Sequence, residues 1–264
     1  MARVEITVFP TDADLGAAAA QEIFEGIRDA EKMGRKYVLG CPGGRSPRST
    51  YSALASLVST SRQSINHLHI AMMDEYAVQL PNGEFRNVDE RSHFSCRRFA
   101  FDEIRNVLNA GLETDLQLPY EQVHVPDAIR PEEYESQLRA LGVDCFLLAS
   151  GASDGHVAFN GRGTSRTATT RVTTLSEETR RDNMHTFPEF NSLAEVPNFG
   201  VSVGPETIAS VSKRAIMLLQ GEYKRKAFQR ISSAPNFDPN WPATIIAECQ
   251  NPHIFVDSLA ANSI

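Results

Sequence analysis

Cysteine is scarce in this sequence and never closely spaced. Cys41, Cys96, Cys145 and Cys249 lie far apart and form no CxxC pair. A disulfide framework is therefore not expected, and the four read as reduced thiols of a cytosolic protein. Long apolar runs are also missing. None approaches the roughly 20 residues that a membrane-spanning helix needs, so no membrane partner is expected. The opening stretch Met1-Ala2-Arg3-Val4-Glu5-Ile6 lacks the apolar core of a signal peptide, and the cytoplasm is the expected location. An excess of basic residues is absent too. The formal net charge is −7, which argues against a dedicated nucleic-acid binder. It does not argue against a phosphorylated small molecule, because a few well-placed cations suffice for one phosphate. No internal repeat, low-complexity tract or Pro/Gly/Ser-rich linker divides the chain, so one domain over residues 1–264 is expected.

What remains is ordinary for a soluble globular chain: 264 residues, 41% hydrophobic and 22% charged. That length buries a core without disulfides or metals. Short β-rich runs alternate with longer helical stretches. Residues 4–9 read as a strand and 12–33 as a helix, with Ala17 to Ala20, Ile23, Phe24 and Ile27 as its apolar stripe and Thr11 or Asp12 as its cap. Strands are expected at 36–40, 67–73 and 144–150, and helices at 47–57, 87–98 and 130–141. Further strand candidates are 171–175, 198–203, 215–219, 243–247 and 253–256. Repeated β-then-α order predicts a single-domain α/β fold: a mostly parallel, Rossmann-like sheet with helices on both faces.

In such folds ligands bind beyond the carboxyl ends of the strands. Three unusual segments fall there: 41–47, 74–76 and 151–156. The first, Gly40-Cys41-Pro42-Gly43-Gly44-Arg45-Ser46-Pro47, combines close backbone approach, Ser46 as an N-cap, Pro47 at the first helical position and Arg45 as a forked cation. A helix N-terminus of this kind holds phosphate. The loop is neither a GxxxxGK[ST] P-loop nor a GxGxxG dinucleotide fingerprint. The second, Asp74-Glu75-Tyr76, places adjacent carboxylates on opposite sides of an extended chain, one toward a pocket and the other toward solvent or a partner. The third, Gly151-Ala152-Ser153-Asp154-Gly155-His156, runs straight out of an apolar strand and sets an imidazole two residues beyond a carboxylate, an acid–base pair for neutral pH. No second His or Cys lies at metal-ligand spacing from His156. His69, His124 and His253 read as structural or surface residues.

These stretches resemble the glucosamine-6-phosphate deaminase/isomerase family, within the group that includes 6-phosphogluconolactonases. The resemblance rests on residues 39–47 with Thr50-Tyr51, on Met73-Asp74-Glu75-Tyr76 and on Asp154-Gly155-His156-Val157-Ala158-Phe159-Asn160. Residues 171–175 leading to Thr179-Arg180 and Asn183, Val203-Gly204, and Gly221-Glu222-Tyr223-Lys224 extend it, in family order, from about residue 36 to 230. It implies ring opening, isomerisation and deamination of a 2-amino-2-deoxyhexose 6-phosphate. Asp74 would be the base moving a proton between C1 and C2, and His156 the acid–base group for ring opening, supported by Asp154. Gly43, Gly44, Ser46 and Lys224 would hold the phosphate. No metal or organic cofactor is implied; the partner is a small sugar phosphate, and relatives are often homo-oligomers.

The chain departs from the family pattern at four places. Gly161 stands where a glutamate supports the histidine, and His185 where a phosphate-binding arginine is usual. Arg45 takes a place usually held by glycine and is expected to replace the lost cation. Thr173 matches the lysine of the family's activator site, so activation by N-acetylglucosamine 6-phosphate does not carry over. The rival expectations are a sugar-lactone hydrolase in which His156 activates water, a non-deaminating sugar-phosphate isomerase, and a catalytically silent sugar-phosphate-binding regulator.

Overall fold

The computed structural model describes residues 4–262. Its centre is a seven-stranded sheet in which every pairing is parallel: β1 (Glu5–Phe9), β2 (Tyr37–Cys41), β3 (Leu68–Met72), β6 (Val123–His124), β7 (Cys145–Ala149), β10 (Ala215–Leu219) and β11 (Pro252–Asp257), in the order β1-β11-β10-β7-β2-β3-β6. The four central strands are buried along almost their whole length, as their continuous apolar runs require in a sheet covered on both faces.

Helices pack on both sides. The first, α1 (Asp12–Lys32), starts where Thr11 accepts a hydrogen bond from the Asp14 N–H. It buries Leu15, Ala19, Ile23 and Ile27, residues that fall on one face at four-residue spacing. Each of the larger ones contributes about 1.5–3 kcal/mol of burial. It lies against α2 (Arg48–Ser61). On the other side α5 (Pro131–Leu141) and α7 (Pro205–Val211) contribute Tyr134, Leu138 and Ile208 to a second core.

Four strands do not join the parallel sheet. β4 (Asp74–Gln79), β5 (Phe85–Asn87), β8 (Arg171–Thr174) and β9 (Phe199–Ser202) form an antiparallel sheet in the order β5-β4-β9-β8. Strands were expected at 171–175 and 198–203, but not in a sheet of their own. Segment 74–76 is correspondingly strand rather than loop.

Two expected elements are corrected. No helix spans 87–98: residues 88–95 are irregular, and helix begins only at Cys96, running as α3 (Cys96–Phe99), a π turn over Ala100–Arg105 and α4 (Asn106–Asn109). The carboxylate of Glu75 takes the N–H groups of Cys96 and Arg97, which fixes the start of helix there. Residues 243–247 belong to a 3₁₀ stretch, Pro242–Glu248. Every residue of 243–247 is buried, so the run carries no periodicity to separate strand from helix. The histidines read as structural or surface residues lie outside the cavity described below. His69 and His124 hydrogen-bond each other at 2.9 Å, and His253 bonds Thr7 and Arg214.

Candidate active site

Met73 carries the chain from one sheet to the other. Its N–H donates to the Cys41 carbonyl of the parallel sheet, and its own carbonyl accepts from Val203 beyond β9. Asp74 is therefore the first residue of β4, pinned opposite Ser202. Strand alternation turns Asp74 and Tyr76 toward a cavity and Glu75 away from it. Glu75 does not reach solvent. It is buried, and accepts from the Ser95 hydroxyl and from the N–H groups of Tyr76, Cys96 and Arg97. Burial pushes Asp74 up to about 7, against the downward pull of the Cys96 thiol at Oδ1 (3.3 Å) and of His156.

The second group stands on the loop after β7. Asp154 Oδ1 accepts from His156 Nδ1 at 2.8 Å and from the His156 N–H at 3.2 Å, while Oδ2 accepts from Thr179 Oγ1 at 3.0 Å. Burial disfavours the charge on Asp154, but these donors together hold its carboxyl well below the usual carboxylate range. An ionised carboxylate only accepts, so Nδ1 carries the proton and Nε2 is the free ring nitrogen. The following Ala158-Phe159-Asn160 anchors this loop. Asn160 is fully buried, donates to the Val157 and Val203 carbonyls and accepts from Arg171.

The third group follows β2. Gly44 has φ +85°, a backbone state that glycine adopts without strain. Tyr51 holds the Pro42 carbonyl at 2.9 Å and Gln220 holds the Ser46 carbonyl at 2.8 Å. Ser46 does not cap α2. Helix begins at Arg48, Pro47 occupies the cap position, and no side chain caps it, which keeps the N-terminal amides available to an anion. The exposed Arg45 guanidinium lies 5.4 Å from the centre of the Tyr223 ring, and Lys224 Nζ lies 5.3 Å from it. Lys224 is buried and donates to the Ser150 carbonyl. Burial lowers it to about 8, against the opposing pull of Asp182.

All three groups meet at one cavity of about 410 Å³. Asp74, His156, the Gly43–Ser46 loop, Lys224 and His185 line it, and Asp154 stands directly behind His156. The structure thus brings together the residues named from the sequence for catalysis and phosphate binding. Among the lining residues that had not been singled out as site candidates are two titratable ones, Cys96 and Asp182. Asp182 lies on α6 (Glu177–Thr186), and with Asp154 and His156 it presents ligand-type atoms within 4.8 Å of one another. Spacing along the chain could not show this, because the three come from two separate segments. Asp154 is already engaged by the imidazole and Thr179, so a cation held by the trio would have to displace those hydrogen bonds. A Cβ at Gly161 would make only ordinary contact, no closer than 3.7 Å, with Ser176. Asp182 is the acidic residue that instead stands near His156.

The sequence profile of glucosamine-6-phosphate isomerases/6-phosphogluconolactonase matches residues 10–255. The chain belongs to this family. It is 30% identical over 256 residues to the glucosamine-6-phosphate deaminase of Shouchella clausii, covering 94% of this chain and 93% of that one. It is 29% identical to the glucosamine-6-phosphate isomerase of Candida albicans, with 86% of each chain covered. Among solved structures, a monomeric glucosamine-6-phosphate deaminase superposes with a TM-score of 0.79 at 25% identity, over 98% of this chain and 99% of that one. The 6-phosphogluconolactonase of Trypanosoma brucei superposes at 0.67 with 23% identity, over 98% of each chain, a likeness of fold. Within this family fold the three strand-end segments and the antiparallel sheet together enclose the cavity. Among the described residues no helix is long and apolar enough to cross a membrane.

Proposed function

We propose that this chain is one isomerase/deaminase-like domain that converts a 2-amino-2-deoxyhexose 6-phosphate to a ketose phosphate and ammonia. The observation that carries the reading is the meeting, in one cavity, of a raised carboxyl and an oriented imidazole. Asp74 is a buried carboxyl poised near neutral pH, and His156 is an imidazole held in one tautomer by an ionised Asp154.

Ring opening breaks the C1–O5 bond: O5 gains a proton and the C1 hydroxyl loses one, a task for His156. Asp74 then takes the C2 proton and delivers it to C1, while O1 gains a proton and the amino group gives one up. An open-chain 2-amino aldose becomes a 2-imino sugar, which water hydrolyses to ketose and ammonia. The phosphate sits at the Gly43-Gly44-Arg45-Ser46 loop with Lys224 and His185, away from the reacting carbons, and converts its binding into orientation. The names of the relatives support the amino-sugar substrate.

The test is direct. The protein is incubated with glucosamine 6-phosphate, galactosamine 6-phosphate and, separately, 6-phosphogluconolactone, while ammonia, ketose phosphate and acid are followed. Ammonia together with ketose phosphate is expected. Ketose without ammonia would restrict the reaction to isomerisation. Acid release from the lactone alone would replace the proposal with hydrolysis, in which Asp74 has no proton to move. Binding without turnover would make the chain a regulator.

A further inference from the structure

Cys96 is a cavity residue whose chemistry the proposed reaction leaves unused. It is buried, and burial pushes its thiol far above the ordinary range, so it keeps its proton and can donate. Its Sγ lies 3.3 Å from Asp74 Oδ1. It stands at the first residue of α3, where Ser95 caps the helix. Glu75, the neighbour of Asp74 on the opposite face of β4, holds that helix start by the Cys96 N–H at 2.9 Å, the Arg97 N–H at 2.8 Å and the Ser95 hydroxyl at 2.9 Å. One strand thus fixes the donor through Glu75 and presents the acceptor through Asp74.

We propose that Cys96 is a positioning residue for the proton-transferring carboxylate: its S–H, set in place by Glu75, orients Asp74 and stabilises its ionised form. The inference rests on the reading of Asp74 as the base. A thiol is a weak donor, but a bond to an ionised acceptor is stronger than its neutral counterpart, and both residues are buried. The donor holds Oδ1 on the side of α3. Other groups bear on the same carboxyl. Glu75 on its own strand raises it and His156 lowers it, while Tyr51 from α2, Tyr76 from β4 and Tyr134 from α5 feel its charge. All of these remain in place when Cys96 alone is changed.

The experiment compares wild type, Cys96→Ala and Cys96→Ser in two ways. The first is the pH profile of kcat/KM with glucosamine 6-phosphate. The second is the carboxyl titration of Asp74 in the free protein, by carbon NMR of side-chain-labelled aspartate assigned through Asp74→Asn. Wild type should titrate near 7. In C96A both the acid limb and the NMR midpoint should rise by about half to one pH unit. At pH 6.5, kcat should fall about three- to tenfold with KM little changed, and C96S should bring both midpoints back toward wild type. Unmoved midpoints in C96A, or a downward shift, would overturn the proposal. If C96A does not fold, Cys96→Val fills the site without a donor and is read against C96S. If wild type turns over no amino-sugar phosphate, the proposed reaction fails, and the titration in the free protein alone decides the role of Cys96.

Discussion

Gly151 lies directly against the Asp154–His156 pair: a Cβ on it would stand 2.2 Å from Asp154 Oδ1 and 2.3 Å from His156 Nδ1. Both distances are far inside van der Waals contact, and the glycine N–H is also tied to the His156 carbonyl at 2.8 Å. Packed interiors do not absorb such an overlap without displacement. Gly151→Ala is expected to separate imidazole from carboxylate while leaving the sheet intact. Turnover should fall at least about a hundredfold, given how steeply catalysis depends on the placement of its groups, with an unchanged far-ultraviolet circular dichroism spectrum. An alanine variant with more than about a tenth of wild-type kcat would show that the loop tolerates the methyl group.

The tautomer imposed by Asp154 gives a second expectation. Asp154→Asn keeps the shape but removes the charge: its amide oxygen can still accept from Nδ1, with the NH2 turned to the Thr179 hydroxyl. The imidazolium then lacks its counter-charge, and kcat should drop by about two to four orders of magnitude. Thr179→Val, which removes one of the donors that keep Asp154 ionised, should cost about three- to tenfold. Steady-state kinetics on the two variants, with melting temperatures as a control for folding, checks the ranking.

Asp74 links activity to stability. The unfolded chain ionises this group near its ordinary value of 3.8, whereas the folded protein retains the proton up to about 7. Below pH 4 both states hold the proton and there is no penalty. Between pH 4 and 7 only the folded state holds it, so stability falls as pH rises, and the full cost, about 4 kcal/mol, is present above 7. Asp74→Asn should abolish proton transfer. It should also make the protein more resistant to urea at pH 8 by a few kcal/mol, and the gap to wild type should close near pH 4. A wild type that is equally stable relative to Asp74→Asn at both pH values would contradict the buried, raised carboxyl.

Arg45 and Lys224 both lie against the Tyr223 ring. If they bind the phosphate, Arg45→Ala and Lys224→Met should raise KM for a phosphorylated substrate about ten- to a hundredfold. The exposed Arg45 should leave kcat within about threefold, and the buried Lys224 should show the larger effect. The same variants should weaken competition by inorganic phosphate in parallel. An unchanged KM in Arg45→Ala would remove Arg45 from the phosphate site.

The parallel core was legible in the sequence because its strands are buried on both faces and read as unbroken apolar runs: Leu39-Gly40-Cys41, Phe146-Leu147-Leu148 and Met217-Leu218-Leu219. The site was legible because glycine, carboxylate and histidine interrupt those runs at their carboxyl ends. The antiparallel sheet was not, because nothing local to Asp74 states that the chain turns at Met73 and pairs with residues 199–202. The false helix at 87–98 has the same origin. Glu75, remote in sequence, decides where helix starts. Asp182 and Cys96 were missed because each acquires its meaning only from residues brought beside it by the fold.

Because Asp74 opens a paired strand, the reacting carboxylate is chosen by alignment and not by residue type. Asp74 and Glu75 are chemically similar neighbours. One faces the cavity and the other grips α3 only because Asp74 lies opposite Ser202 and Glu75 opposite Val201. A slip of one residue would exchange the two faces, turning the helix anchor toward the sugar and the base into the wall. A one-residue insertion or deletion at the start of β4 would therefore cost the chemistry, even where the sheet itself would accept it.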